Sequence, residues 1–269
     1  MQKPGNARLF CGPVQVVGVR YYKAMIATFT DFGVPGPYLG QMHAVLHREA
    51  PGVPVVDIFT DLPAFNIRAA AYLLPAYSQY LPENNVCLCV VDPGVGTARR
   101  AAVVQCDGRW YVGPDNDLFS ILVRRASAAR VYIIDWRPGQ LSSSFHGRDL
   151  FAPVAATLAR GEPPPGKQID PVQLLTPDWA EDLTEIVYLD HFGNAITGQR
   201  ASGISTASTI EVAGKLCKFR RTFGEAEHGM PFWYENSNGL VEIALAEGHA
   251  ARELGLEVGT AVRVKSGSV

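Results

Sequence analysis

The segment 86–91 constrains the fold more than any other. It reads Val-Cys-Leu-Cys-Val-Val with no polar break and runs directly into Asp92. A strand without alternation must be covered on both faces, as a central strand of a parallel sheet is. The residues upstream fit the same plan. Ala24 to Phe29 is an apolar strand that stops at Thr30-Asp31-Phe32-Gly33, and Tyr38 to Glu49 has helical spacing closed by Pro51 and Gly52. Val53 to Phe59 reads as a second strand and Ile67 to Tyr80 as a second, nearly all-apolar helix. Alternating strand and helix predicts an α/β domain with a mainly parallel central sheet.

Downstream, Ala101 to Gln105 and Trp110 to Val112 read as a hairpin across Asp107-Gly108, with helices at Leu118 to Arg125 and Asp149 to Arg160. Gly161-Glu162-Pro163-Pro164-Pro165-Gly166 then ends helical pattern, because prolines remove donors and fix φ. Beyond it come short β runs at Leu183 to Leu189, Thr209 to Val212, Lys215 to Phe219, Leu240 to Leu245 and Ala261 to Val264. These predict a smaller all-β barrel or sandwich. The expected organisation is an α/β domain over 24–162, a Pro/Gly-rich linker region over 163–178 and a β domain over 179–266, with 1–22 a loose extension.

A chain of 269 residues can bury two such cores. Its 24 Lys and Arg against 26 Asp and Glu leave no basic excess for phosphate, so nucleic acid is not an expected partner. No stretch reaches the ~18 apolar residues of a membrane span. The five cysteines (Cys11, Cys87, Cys89, Cys106 and Cys217) have no framework spacing, and Met1 to Gly18 lacks the apolar centre of a signal peptide. A cytoplasmic protein with buried free thiols is expected.

Ligands of parallel α/β sheets bind at the carboxyl ends of the strands. Polar clusters stand there: Thr30-Asp31-Phe32-Gly33, Asp92-Pro93-Gly94-Val95-Gly96-Thr97-Ala98-Arg99, and Gly113-Pro114-Asp115-Asn116-Asp117. Asp92 at the end of a buried strand needs a partner, and Arg99 across the glycine-rich turn can supply it. That pair reads equally as a site and as a loop-pinning ion pair. Phe145-His146-Gly147-Arg148-Asp149 precedes a helix, and Asp190-His191-Phe192-Gly193-Asn194 and Asn236-Ser237-Asn238-Gly239 are polar turns in the β region. His43 and His47 lie four apart on a helix without a third ligand, so no metal site is expected. Gly94-Val95-Gly96 completes neither a dinucleotide nor a triphosphate fingerprint, and no Gly-x-Ser-x-Gly elbow occurs.

Taken in order, these clusters, with Gly36-Pro37-Tyr38, resemble the S-adenosyl-L-methionine (SAM) hydroxide adenosyltransferases, adenosine-forming SAM hydrolases related to the fluorinase and chlorinase. The resemblance spans about residues 25 to 265. It implies an N-terminal α/β domain followed by a C-terminal β-barrel, and a homotrimer with substrate held between subunits. It implies a small-molecule substrate, SAM, with no separate cofactor. It assigns Asp92, Arg99 and His146 to the attacking water and Asp31 to the ribose hydroxyls. Phe65 is assigned to the ribose and sulfonium, and Asp190 and Ser237 to the methionine end. Asn194, Phe223 and the backbone near Ala250 are assigned to the adenine pocket, and Asn116 and Phe192 belong to its substrate-binding motifs. Asp117, Asn238 and His249 depart from the usual Gly, Arg (in the halogenases) and Asn. A SAM-dependent halogenase is an alternative, disfavoured because Asp92, His146 and Gly147 match the hydrolases. A non-catalytic SAM- or adenosine-binding module is another.

Overall fold

The computed structural model describes residues 24–265; the extension 1–22 and Cys11 lie outside them. The first half is a seven-stranded sheet in the order β2-β1-β3-β5-β4-β6-β7. Its strands are β1 (Ile26–Thr30), β2 (Val55–Phe59), β3 (Val86–Val90), β4 (Ala101–Cys106), β5 (Arg109–Pro114), β6 (Ala129–Ile134) and β7 (Gly166–Ile169). β2, β1, β3, β5 and β6 run one way and β4 and β7 the other.

Helices α1 (Tyr38–Glu49) and α4 (Ala152–Ala159) cover one face, and α2 (Ile67–Ser78) and α3 (Ser120–Arg125) the other. Residues Cys87 and Cys89 of β3 point to the α2 side, and Val86, Leu88 and Val90 to the α4 side. All five β3 residues are buried, so this strand has no solvent face to make polar. Described cysteines 87, 89, 106 and 217 are buried and free. No described helix is long and apolar enough to cross a membrane.

β7 lies inside the segment read from its prolines as a linker. It pairs antiparallel with β6 as an edge strand. α4 ends at the left-handed Gly161, and prolines 163–165 stand between it and the ladder, where missing donors cost nothing. The hydrogen bonds of β7 come from the partner strand, which composition does not report.

The second half is a seven-stranded sheet, β14-β10-β11-β12-β13-β9-β8. Its strands are β8 (Leu183–Leu189), β9 (Ala195–Arg200), β10 (Thr209–Val212), β11 (Lys215–Phe219), β12 (Pro231–Glu235), β13 (Leu240–Leu245) and β14 (Val262–Lys265), with the short helix α5 (Ala250–Leu254) before β14. The Glu185–Ala261 bridge joins its two ends into a nearly closed barrel. Leu183, Val187, Ile196 and Leu240 from this barrel belong to the same buried cluster as α2 and α3. The two halves therefore share apolar packing.

Candidate active site

Asp31 and Asp92 follow neighbouring parallel strands, with Thr30 of β1 opposite Val90 of β3. Both line a hollow of about 310 Å³, with Phe65, Phe145 and His146. Burial pushes the Asp31 carboxyl above its usual range, the Phe65 backbone N–H at 2.9 Å opposes this, and the Asp92 charge adds to it. Phe65 takes φ +62° and is 74% exposed. A bulky residue there is strained, and strain of that kind collects at functional sites.

Arg99 folds back over the turn as a fork. Its Nε donates to Asp92 Oδ1 at 2.7 Å and its Nη2 to Asp92 Oδ2. The pair is withdrawn from solvent, with Arg99 10% and Asp92 5% exposed. Gly96 lets this turn lie against the loop that leads to His146: at φ +80°, a Cβ there would meet the Ser143 carbonyl oxygen at 2.4 Å.

Arg99 Nη2 also lies 3.1 Å from His146 Nδ1. Guanidinium is a donor only, so Nδ1 must be the acceptor and the proton sits on Nε2. Burial, then the Arg99 cation, hold the imidazole below its ordinary 6.5. With Nη1 donating to the Arg100 carbonyl at 3.2 Å, Arg99 has little left to offer a ligand. It orients Asp92 and the neutral His146.

His146 enters a π-helical turn, Gly147–Phe151, a distortion often found at functional sites. Ser142 N donates to Asp149, which Arg148 grips with two nitrogens, so the His146 loop is fixed from behind.

A second hollow of about 960 Å³ opens between the barrel and β2–α2. Asp190, Phe192, Asn194, Phe223 and Ser237 line it. Asp190 Oδ1 accepts from Phe192 N and Asn194 N at 2.9 and 2.8 Å, and Oδ2 accepts from Asn194 Nδ2 at 2.9 Å. Its carboxylate thus builds the turn as well as charging the hollow. Gly193, at φ +86°, lies flat beneath His249, whose ring a Cβ would strike at 2.1 Å.

Asn116 and Ala250 line neither hollow. Asn116 Nδ2 donates to Val91 O at 3.0 Å and pins the end of β3. Ala250 is fully buried at the start of α5, with the neighbouring Gly248 and His249 facing the hollow. Sequence reasoning passed over Tyr77, Tyr188, Tyr234 and Glu242, which also line it. A carboxylate inside the apolar stretch of β13 was the available signal. His43 pairs with Asp57 at 2.9 Å, and among the described residues no group of three or more His, Cys, Asp or Glu side chains is placed to hold a metal ion.

A doubly covered α/β sheet joined to a β-barrel, with an acid–arginine–histidine set at parallel strand ends, defines the class. The model of the SAM hydroxide adenosyltransferase N-terminal domain matches residues 26–167, and that of the C-terminal domain matches 184–263. The chain belongs to this family. It is 43% identical to a Thermus thermophilus (R)-S-adenosyl-L-methionine hydrolase, over 87% of this chain and 97% of the relative. An Actinoplanes fluorinase is more distant, 22% identical over 89% of this chain and 97% of that one. A solved structure of an uncharacterised conserved protein from Thermotoga maritima superposes with a TM-score of 0.80 at 28% identity, covering 89% of this chain and 99% of that one.

Proposed function

We propose that the protein hydrolyses SAM to adenosine and L-methionine, acting on the (R) configuration at the sulfonium sulfur that the relatives' name specifies. Asp92 and His146, which face the same hollow as Asp31 and Phe65 and are held together from behind by Arg99, carry this reading. Methionine is a good leaving group from a sulfonium, so the protein's task is to hold a weak nucleophile in line with the C5′–S bond. The water oxygen bonds to C5′, the C–S electron pair stays on sulfur, and the water proton passes toward Asp92. His146 Nε2–H donates to the same oxygen. Asp31 supplies the negative field that favours a sulfonium, and a bound cation favours its ionised form in turn. Incubation with each SAM epimer in halide-free buffer should release adenosine and methionine from the (R) form. Unchanged ligand would overturn the proposal, and a 5′-halo product on adding chloride would reassign it to halogenation.

The pH dependence follows from His146. Its pKa is lowered, so the free enzyme keeps it neutral below the range of an ordinary histidine. The acid limb of kcat/KM should therefore fall below pH 6.5, as protonation of Nδ1 breaks the Arg99 contact. His146→Ala should remove that limb. A limb that persists unchanged in the folded variant assigns it elsewhere.

The site is completed, in this reading, by a neighbouring subunit of a homotrimer. Within one chain the catalytic set and the Asp190–Ser237 set line different hollows that have no residue in common. Phe65 and Phe192 stand 74% and 73% exposed, as rings awaiting a cover do. Mixing Asp92→Ala with Asp190→Ala protein and reassembling should restore part of the activity, since one mixed interface carries both native residues. A fully active monomer on a sizing column excludes this arrangement.

A further inference from the structure

The larger hollow is more acidic than a nucleoside requires. Asp61, Asp190, Glu242, Glu247 and Glu253 line it against one arginine, Arg252, which already faces Glu253 at 3.8 Å. Among these carboxylates Glu242 is the withdrawn one, 5% exposed on β13. Its Oε1 accepts from the Tyr234 hydroxyl and its Oε2 from Asn236 Nδ2 at 3.0 Å. Both partners are neutral, and among the described residues no Lys, Arg or His pairs with it.

A buried carboxylate without a cation is costly, and one kept at the wall of a hollow points to a cation that arrives with a ligand. Burial raises the Glu242 carboxyl, the two donors oppose this, and the Asp190 charge adds to it. The same Asp190 charge reaches Tyr77, Tyr188 and Tyr234, whose phenols burial holds well above their usual range. They stay protonated and offer oxygen lone pairs. Tyr234 gives its only hydrogen to Glu242, so toward the hollow its oxygen is an acceptor alone.

SAM carries two cations. The sulfonium is bonded to C5′, so it is fixed at the catalytic hollow, across C5′ from the water that Asp92 holds. The α-ammonium is the cation left for the second hollow, and Asp190 has already given three acceptor positions to its own turn. We infer that Glu242, acting through the Tyr234 hydroxyl, is a positioning residue that selects substrates bearing an α-ammonium. This rests on the function proposed above.

The test compares SAM with its analogue in which the α-amino group is a hydroxyl, using wild type, Glu242→Gln and Tyr234→Phe. Glu242→Gln keeps the shape, and Tyr234→Phe removes one oxygen and leaves the carboxylate. Wild type should prefer SAM. Each variant should raise KM for SAM roughly 10- to 150-fold, the worth of a hydrogen bond to a charged group, with kcat nearly constant. Turnover of the hydroxy analogue should barely change, so the preference collapses. An equal fall for both substrates, or a loss that tracks melting temperature alone, makes the pair structural and overturns the inference while SAM hydrolysis stands. A wild type that releases adenosine from neither substrate overturns the function proposed above and this inference together.

Discussion

Replacing Asp92 by Asn should lower the single-turnover rate of SAM hydrolysis by about 10²–10⁴-fold, the usual worth of a positioned proton acceptor, while SAM affinity stays nearly unchanged. The residue is held by two donors of Arg99, so its carboxylate has one orientation, and its remaining lone pairs face the hollow that holds Asp31 and Phe65. Water placed there is activated only if the acceptor is anionic. Asparagine keeps the volume but turns an N–H toward Arg99, so melting temperature must be followed alongside the rate. His146→Ala should also slow the reaction, and the double variant should be little slower than Asp92→Asn, because in the proposed mechanism both groups hold one water. If Asp92 only pins a loop, activity will fall in step with the folded fraction and no further. That result removes the carboxylate from the chemistry.

The parts of this site that were legible in the sequence are those written as local contrast. An apolar run that ends in Asp92, and an arginine one glycine-rich turn later, state both the strand and the need for a partner. The β6–β7 edge, by contrast, depends on pairing between 131–134 and 166–169, and Gly166-Lys167-Gln168-Ile169 has no pattern of its own. β12 begins at Pro231 and β9 includes Gly198, residues that usually argue against a strand. Asn116 and Ala250 were read as ligand contacts from the motifs that contain them. Asn116 gives its Nδ2 to Val91 O and Ala250 is fully buried, and neither side chain lines a hollow within one chain.

Two departures from the family pattern acquire reasons in the structure. Asp117 takes φ +75°, a conformation that suits the usual glycine, and accepts from Thr176 Oγ1 at 2.9 Å in compensation. His249 Nδ1 accepts from Arg252 N at 3.1 Å, which is the helix-capping service an asparagine oxygen gives. A side chain's chemistry is visible in sequence, but the distant backbone atom that it satisfies is not.

Arg99→Met should be the most destabilising change in the site. The guanidinium holds Asp92 with Nε and Nη2, holds His146 Nδ1 with Nη2, and stacks 5.2 Å from the Phe151 ring centre. Methionine keeps the packing against Phe151 and removes every donor. Asp92 is then an uncompensated charge at 5% exposure, a situation that costs about 3–5 kcal/mol. For a chain of this size that lowers the melting temperature by roughly 6–20 °C. Arg99→Lys should fall between, since an ammonium reaches one oxygen but cannot form the fork. The decisive protein is the double variant Asp92→Ala/Arg99→Met. Removing both partners leaves no stranded charge, so most of the stability should return. Activity should not return, because in the proposed mechanism the water then has neither its acceptor nor an oriented His146. Recovery of stability and turnover together would reduce the ion pair to scaffolding and pass the chemistry to other residues of the hollow. A double variant as unstable as Arg99→Met alone would show that the arginine's packing, and not its pairing with Asp92, holds this corner of the fold.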